Sequence, residues 1–379
     1  MASVLQEFAL GEPRPADVRE IEAGLSAMWR SAAEASGGES TVTRASALTL
    51  LVYVDREDAA REVSNLLAEV TRQNPCRAIV MMMDPSGSPP SLMASVSAHC
   101  HMSSEGEKQI CSEQINLCAR GETGPELISV VLPLTVSGLP IYLWWRTESF
   151  AMPKYFDQIL RVTQHVIVDS ARFSTTGPDL RALAAWLETH SGRIRLSDLN
   201  WARATPWREV MAQCFDSQDR RPYLGRIREL HIEYEMESTR LTAQRAQSLL
   251  LTWWLATRLK WKFLRAESRG ENMPRTFFFQ SDEGEVKVER VLRKVDGGGC
   301  GVCFSFEIMA GDARFSFSRG VDGKAVQTLA EVPGQPPIGR TVRIESEDEI
   351  EILNDELMLS GHDHVYEETL ALVALMTAR

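Results

Sequence analysis

A Cys-x-x-Cys pair is the first candidate for chemistry in this sequence. Cys300 and Cys303 could form a dithiol redox couple or supply half of a zinc site. A zinc site needs a second ligand pair, and a redox couple needs a helix N-terminus or a cation that stabilises the thiolate. The pair spans a predicted turn and strand, where regular alternation sends the two side chains to opposite faces. Cys300 and Cys303 therefore stand as a redox candidate, with ordinary packing as the alternative.

Histidines occur twice at spacings that could hold a metal ion. His99 and His101 flank Cys100 in a predicted strand, so both imidazoles would lie on one face. His362 and His364 lie in the N-terminal cap region of the last predicted helix. Neither pair is accompanied by a HExxH motif or a second carboxylate-rich segment. Structural histidines are favoured over metal ligands at both places, and we predict no metal.

Catalytic motifs are missing from the sequence. It contains no GxSxG motif and no phosphate loop, and no Ser-His-Asp ordering or carboxylate pair can be singled out. The glycines at 296–301 lack the third position of the dinucleotide fingerprint and lead into a strand, so a hairpin turn is predicted there. The sequence predicts a binding protein that is not an enzyme and needs no cofactor.

Tryptophan and arginine are grouped along the chain, as in Trp144-Trp145-Arg146 and Trp207-Arg208. Both residue types are enriched at binding hot spots, and packing of tryptophan in a core is the alternative. Adjacent tryptophans in a strand face opposite sides, so both can be buried only if the sheet is covered on both faces. Arg146 is predicted to mark the point where its strand leaves the core.

The composition is that of a soluble protein. The chain has 379 residues, of which 44% are hydrophobic and 25% charged, and this length predicts two domains. A net charge of −11 argues against general binding of nucleic acid or anionic membranes. The N-terminus lacks the features of a signal peptide. Seven cysteines, an odd number, predict reduced thiols in a cytoplasmic protein rather than a disulfide framework.

A stretch without formal charge at 128–145 has nearly the length of a membrane span. Pro133, Gly138 and Pro140 interrupt it. Proline at the start of a strand is tolerated, whereas it would break a continuous helix. The favoured interpretation is a helix over 125–136, a turn, and a short covered strand.

Hydrophobic periodicity predicts alternating strands and helices up to about residue 173. The predicted strands are 47–54, 76–83, 92–103, 109–119, 141–145 and 165–170. The predicted helices are 16–35, 57–72, 125–136 and 153–161, with Asp55 as the N-cap of the second. This alternation favours an α/β domain with a mixed sheet.

The second half has a different pattern. After a helix at 179–190, residues 196–216 are predicted to be a loop entering a helix, and 224–235 a strand with one slip in its alternation. A long helix is predicted at 239–263. Four strands follow near 275–280, 285–295, 302–309 and 313–318, the last three joined by hairpins, and helices at 346–359 and 363–378 close the chain. We predict a helical extension at 1–40, an α/β domain at 41–173 and an α+β domain at 174–379.

Four long stretches stand in the order NPCRAIVM (74–81), CSEQINL (111–117), LPLTVSGLPIYLWWR (132–146) and DLNWARATPWREVMAQCFD (198–216). Together they resemble the glucose-6-phosphate dehydrogenase assembly protein family, OpcA, over about residues 48–263. The resemblance implies a protein that binds this dehydrogenase and promotes its active oligomer or activated state, in support of the oxidative pentose phosphate pathway and its NADPH. In photosynthetic bacteria the family's activation is linked to redox state through cysteines, and the resemblance gives no alignment of Cys300 and Cys303 with them.

The resemblance therefore implies an allosteric activator without catalysis of its own. Such a protein acts by binding the active state of its target more tightly than the inactive state. The candidate partner contacts are Arg146, Arg203, Trp207 and Arg208. Two alternatives remain: an enzyme that binds a sugar phosphate, and a thiol-based redox sensor that uses Cys300 and Cys303.

Overall fold

Two large sheets form the framework of the protein. The computed structural model describes residues 6–35, 41–102, 108–237, 246–267, 276–295, 303–320, 324–344 and 348–375. Within these residues the first sheet has nine strands: β1 Gln6–Pro15, β2 Thr41–Arg44, β3 Leu48–Val54, β4 Cys76–Asp84, β5 Ser91–Met102, β6 Lys108–Arg120, β7 Ile141–Trp145, β8 His165–Val168 and β9 Arg195–Asp198. The second has eight described strands: β10 Ile227–Glu237, β11 Lys262–Glu267, β12 Thr276–Ser281, β13 Gly284–Val295, β14 Cys303–Ala310, β15 Ala313–Arg319, β16 Ala325–Glu331 and β17 Ile338–Arg343.

The helices connect and cover these sheets. Their bounds are α1 Val18–Ala35, α2 Glu57–Gln73, α3 Gly124–Leu134, α4 Asp157–Leu160, α5 Thr176–His190, α6 Leu199–Arg203, α7 Thr205–Cys214, α8 Ala246–Arg258, α9 Glu349–Met358 and α10 His364–Ala374. The combination of a mixed-sheet α/β domain and a second α+β domain confirms the predicted fold class. No helix among the described residues is both long enough and apolar enough to cross a bilayer.

The first sheet has the order β1-β5-β6-β4-β3-β7-β8-β9, with β2 paired to β6. Strands β4, β3, β7, β8 and β9 run parallel to one another. Every residue of β3 is buried, because helices cover both faces of a parallel sheet. Helix α2 begins at Glu57 with Arg56 at its N-cap and no side-chain capping bond, so the prediction of Asp55 as N-cap is wrong.

The two adjacent tryptophans of β7 are both buried, as the covered-sheet prediction requires. Trp144 belongs to the cluster between the sheet and helices α2 and α9. Trp145 lies in the opposite cluster, where it stacks on Tyr53 with ring centroids 4.1 Å apart and meets Phe156 edge-on. The stretch 128–145 is therefore a helix followed by a covered strand.

Strand β1 and helix α1 occupy most of the predicted N-terminal extension. β1 pairs antiparallel with β5, and α1 packs its apolar residues into the main core. Strand β9 lies beyond the predicted boundary at 173 and yet joins the first sheet through β8. It was predicted to be loop, because four residues of mixed polarity are too short to show a period.

Strand β10 lies in the middle of the second sheet. It runs parallel to β13 and antiparallel to β14, so β13 and β14 are not neighbours and the hairpin predicted between them is wrong. The hairpin between β14 and β15 is confirmed. A register shift between Ile227 and Glu229 accounts for the slip in the alternation of β10.

The predicted long helix at 239–263 is only partly a helix in the described residues. Helix α8 ends at Arg258, and β11 begins at Lys262. Lys260 takes a left-handed backbone conformation with φ of 56°, and the Trp261 amide donates to the Ala256 carbonyl, a closure typical of helix C-termini.

Cys100 and Cys111 are joined by a disulfide. The antiparallel pairing of β5 with β6 places them directly opposite each other, with Cα atoms 4.1 Å apart. The prediction of reduced thiols is therefore wrong for this pair. A cysteine count could not show it, since it follows from strand register. Cys76, Cys118 and Cys214 are free thiols.

Candidate functional site

The carboxyl edge of the parallel strands is the place where an open α/β sheet usually binds ligands, at the point where the strand order reverses. That point lies between β3 and β7 in this sheet. The turn from β3 into α2 consists of Asp55 and Arg56, without the glycines that let a backbone approach a phosphate. The edge instead holds charged side chains that follow the strands: Arg146 after β7, Asp169 after β8 and Asp198 at the end of β9.

Arg146 occupies the crevice between β3 and β7, at the switch point where the strand order reverses. It is only 3% exposed, so the prediction that it marks where the strand leaves the core is wrong. Its guanidinium donates to both carboxylate oxygens of Glu349 on α9, at 3.0 and 3.2 Å, and to Glu62 on α2 at 3.2 Å. It also lies over the Trp144 ring, 5.5 Å from the centroid. Arg146 thus holds α9, from the far end of the chain, against α2 and the sheet.

Arg203 and Asp169 form a second ion pair at the same edge. The guanidinium of Arg203 donates to the two oxygens of Asp169 at 2.7 and 3.0 Å. Although burial opposes the charged form, the Asp169 carboxylate raises the pKa of Arg203 above its usual value. The pair anchors α6 to the end of β8.

Asp198 is the most deeply buried carboxylate of the edge. One oxygen accepts from the Ser170 and Asn200 amides at 2.9 and 3.0 Å, and the other accepts from the Tyr366 hydroxyl at 3.2 Å. Burial, together with the nearby charge of Asp169, raises the Asp198 pKa to about 6. Through Tyr366, Asp198 connects the edge to α10.

Replacing Asp198 by asparagine is expected to change how stability depends on pH. The raised pKa means that the folded state binds more protons than the unfolded state between about pH 4 and pH 6, so wild-type stability falls as the pH rises through this window. Asparagine does not ionise and avoids this loss. The unfolding free energy of Asp198→Asn relative to wild type should therefore rise by about 1–3 kcal/mol between pH 4.5 and 7.5.

Urea unfolding at several pH values measures this difference. Asp219→Asn, at an exposed position, is the control and should show no comparable trend. A difference between Asp198→Asn and wild type that stays constant with pH would contradict the assignment.

Arg195 attaches the end of α9 to the first sheet. Its guanidinium donates to the carbonyls of Glu356 and Leu359, where the helix ends, and contacts His165 Nδ1 at 2.7 Å. Burial and the Arg195 charge hold the His165 pKa well below its usual value. Both ends of α9 are thus bound by arginines of the first sheet.

Trp207 and Arg208 pack within the α6–α7 segment. Trp207 is 1% exposed. Arg208 lies over the Trp201 ring, 3.5 Å from its centroid, and donates to the Trp201 carbonyl at 2.6 Å. Burial lowers the Arg208 pKa to about 10. Arg208 remains partly exposed and forms no ion pair with a described carboxylate.

A cavity of about 360 Å³ adjoins this edge. It lies between α6, α7, β17 and α9, and Arg203 is the one residue of the four candidate contacts that lines it. The sequence did not single out Glu62, Glu349, Asp169 or Asp198. A signal was available for Asp169, since it stands where the apolar strand β8 ends, but not for Asp198, because β9 is of mixed polarity.

The remaining candidates lie elsewhere. Cys300 is outside the described residues, and Cys303 opens β14 in the second sheet. His99 Nε2 is 2.8 Å from the Gln114 side-chain oxygen, and His362 and His364 both lie beside Glu367. The described residues contain no cluster of three or more potential metal ligands.

Two protein-family models match the chain, one in each half. Residues 67–185 match the glucose-6-phosphate dehydrogenase subunit N-terminal domain, and residues 194–370 match the C-terminal domain of the same subunit. The two matches stand in the order that their descriptions give and together cover more than half of the chain.

Curated relatives carry the same family name. An OxPP cycle protein OpcA of Nostoc punctiforme is 31% identical over 224 residues, covering 58% of this chain and 46% of the relative. Its counterpart in Synechocystis sp. is 30% identical over 201 residues, covering 53% and 40%. The chain thus matches less than half the length of these relatives.

Among solved structures, the super-repressor mutant of Gal80p from Saccharomyces cerevisiae is similar at a TM-score of 0.45 and 10% identity, covering 82% of this chain and 83% of Gal80p. A similarity at this level supports no statement about activity.

Proposed function

This chain belongs to the OpcA family of glucose-6-phosphate dehydrogenase assembly proteins, and from that membership we propose that it is a non-catalytic assembly factor of this dehydrogenase. It binds the enzyme in the cytoplasm and favours its active state, which supports NADPH production by the oxidative pentose phosphate pathway. The observation that carries the proposal is the ordered match of both family domains along one chain.

The filled crevice supports binding rather than catalysis. At the switch point of the sheet, Arg146 and its two carboxylate partners take the place where an α/β enzyme would admit a substrate or dinucleotide. Helix α9 lies across this edge. An enzyme that bound its substrate in this crevice would need α9 to move away from it, and that movement would expose the buried Arg146.

The four candidate contacts divide into two roles in this proposal. Arg203 and Arg208 are partly exposed, Arg203 beside the cavity, and both could meet a partner directly. Arg146 and Trp207 are buried and would act by positioning α9 and α7. An activator needs a difference of only about 1–3 kcal/mol between its affinities for the two enzyme states to change activity by roughly 5–150-fold.

The proposal predicts a saturable effect on the dehydrogenase. Activity of the organism's own enzyme is measured against glucose 6-phosphate concentration, with and without this protein, and binding is followed by co-elution. We expect a rise in activity or a fall in KM, together with co-elution. The protein alone should not turn over glucose 6-phosphate. Unchanged kinetics without co-elution, in oxidised and in reduced buffer, would refute the proposal.

A further inference from the structure

We propose that a groove between α7 and the edge strand β17 receives an acidic, extended segment of the partner protein. We call it the α7–β17 groove, with Val210 and Gln213 on its helical wall and Ile338, Arg340 and Val342 on its strand wall. The identity of the partner as the dehydrogenase rests on the proposed function. The preference for an acidic extended segment follows from the groove itself.

The groove is continuous over two cavities. The cavity of about 360 Å³ and a smaller one of about 20 Å³ share the lining residues Val210, Gln213 and Val342. The smaller cavity has about the room of one water molecule, enough for a carboxylate oxygen. The larger cavity can take several residues of an entering segment.

Strand β17 leaves one side open for pairing. Among the described strands it ends the second sheet, and its register with β16 runs from Ala325 opposite Arg343 to Ala330 opposite Ile338. All of β17 is exposed except Val342, which is half-buried. The backbone groups that point away from β16 can therefore bond to an added strand, a common mode of peptide recognition.

Three arginines line the groove in addition to Arg203, which is paired with Asp169. Arg220 and Arg340 line the smaller cavity and Arg343 the larger one, and none forms an ion pair with a described carboxylate. Arg220 and Arg340 both lie close enough to Cys214 that their charges oppose the rise that burial causes in the pKa of its thiol.

Among the described residues, arginine is the sole charged type that lines the smaller cavity, whereas Glu209, Asp355 and Glu356 line the larger one. In a chain with a net charge of −11, such a place is complementary to an acidic group.

Protection of the sheet edge does not account for all of these residues. Charged side chains and proline, such as Pro337 before β17, discourage edge strands from self-pairing. Arg220, however, comes from the segment after α7 and is only 9% exposed. Edge protection gives no reason for a cation at that place, whereas recognition of an acidic group does.

The test reverses the charge of the strand wall. Arg340→Glu with Arg343→Glu is compared with Arg19→Glu and Arg161→Glu, two exposed arginines outside the groove that give the same change in net charge. Dissociation constants for the dehydrogenase are measured by titration calorimetry. We expect the groove variant to bind at least about tenfold more weakly and the control within about twofold of wild type. If both variants bind equally weakly, or if the groove variant binds as tightly as wild type, the proposed role of the groove is refuted.

A peptide probe tests the groove independently of the dehydrogenase. A fluorescein-labelled peptide of alternating glutamate and valine should raise its anisotropy with the wild type and the control, and not with the groove variant. The matching lysine–valine peptide should not bind. If the acidic peptide binds and the dehydrogenase does not, the proposed function is refuted, whereas the preference of the groove for an acidic segment is supported. If the acidic peptide does not bind the wild type, the groove is refuted.

Discussion

Replacing Arg77 by methionine is expected to lower the free energy of unfolding by about 3–5 kcal/mol. Arg77 lies on β4 with its side chain 5% exposed, and it donates to Glu113 on β6 at 2.8 Å. It also donates to Glu22 on α1 at 2.7 Å and to the Leu134 carbonyl at the end of α3 at 2.8 Å. Methionine fills similar space but leaves the Glu113 carboxylate, 3% exposed, without this cation.

Removing the second charge should recover much of that loss. In Arg77→Met with Glu113→Gln, neither member of this pair carries a charge, and the glutamine oxygen can still accept from the Trp29 indole, which lies 2.5 Å from Glu113. Replacing both members of a buried pair is often close to neutral, so at least half of the stability should return.

Chemical denaturation of the two single variants and the double variant completes the cycle. Arg72→Met is the control, because its pair with Glu69 is exposed and should contribute less than about 1 kcal/mol. A loss below 1 kcal/mol for Arg77→Met, or a double variant as unstable as the single one, would contradict the assignment.

Replacing Arg146 by methionine is expected to loosen the attachment of helix α9 to the first sheet at its N-terminal end. The side chain bridges Glu349 of α9 and Glu62 of α2, and no other described ion pair joins these two helices. The expected loss of stability is about 2–3 kcal/mol, less than for Arg77, since both carboxylates keep some contact with water. Amide hydrogen exchange should accelerate over 349–358 and stay unchanged in β5 and β6.

Glu349→Gln separates positioning of α9 from direct contact with the partner. If Arg146 acts by holding α9, Glu349→Gln should weaken activation of the dehydrogenase, as Arg146→Met does. The loss of activation should scale with the increase in the rate of amide hydrogen exchange over 349–358. If Arg146 contacts the dehydrogenase itself, Glu349→Gln should leave activation intact. Arg146→Lys provides a further comparison, because a lysine cannot bridge both carboxylates with a planar fork.

Several elements could be predicted from local sequence because their signal is local. The apolar runs of β3 and β4 are short and rich in branched residues, which is typical of covered parallel strands. The adjacent tryptophans at 144 and 145 predicted a sheet covered on both faces. The alternation over 224–235 predicted a strand, and the slip in it coincides with the register shift of β10.

Edge strands and non-local pairings were missed. β9 and β17 each have one neighbour among the described strands and carry polar residues, so their pattern does not differ from that of a loop. The hairpin predicted between β13 and β14 was wrong because β10, far earlier in the chain, pairs between them. Proximity in sequence does not decide which two strands of a sheet are hydrogen-bonded neighbours.

The sequence by itself determined the α/β character, most element positions in the first half and the family, since each depends on periodicity or on long matching stretches. Only the tertiary structure decided that Arg146 is buried, because its partners Glu62 and Glu349 lie 84 and 203 residues away along the chain. It likewise placed Cys100 opposite Cys111 and Arg220 beside Arg340. Charges and thiols acquire their roles from neighbours that packing brings together, and no local pattern specifies those neighbours.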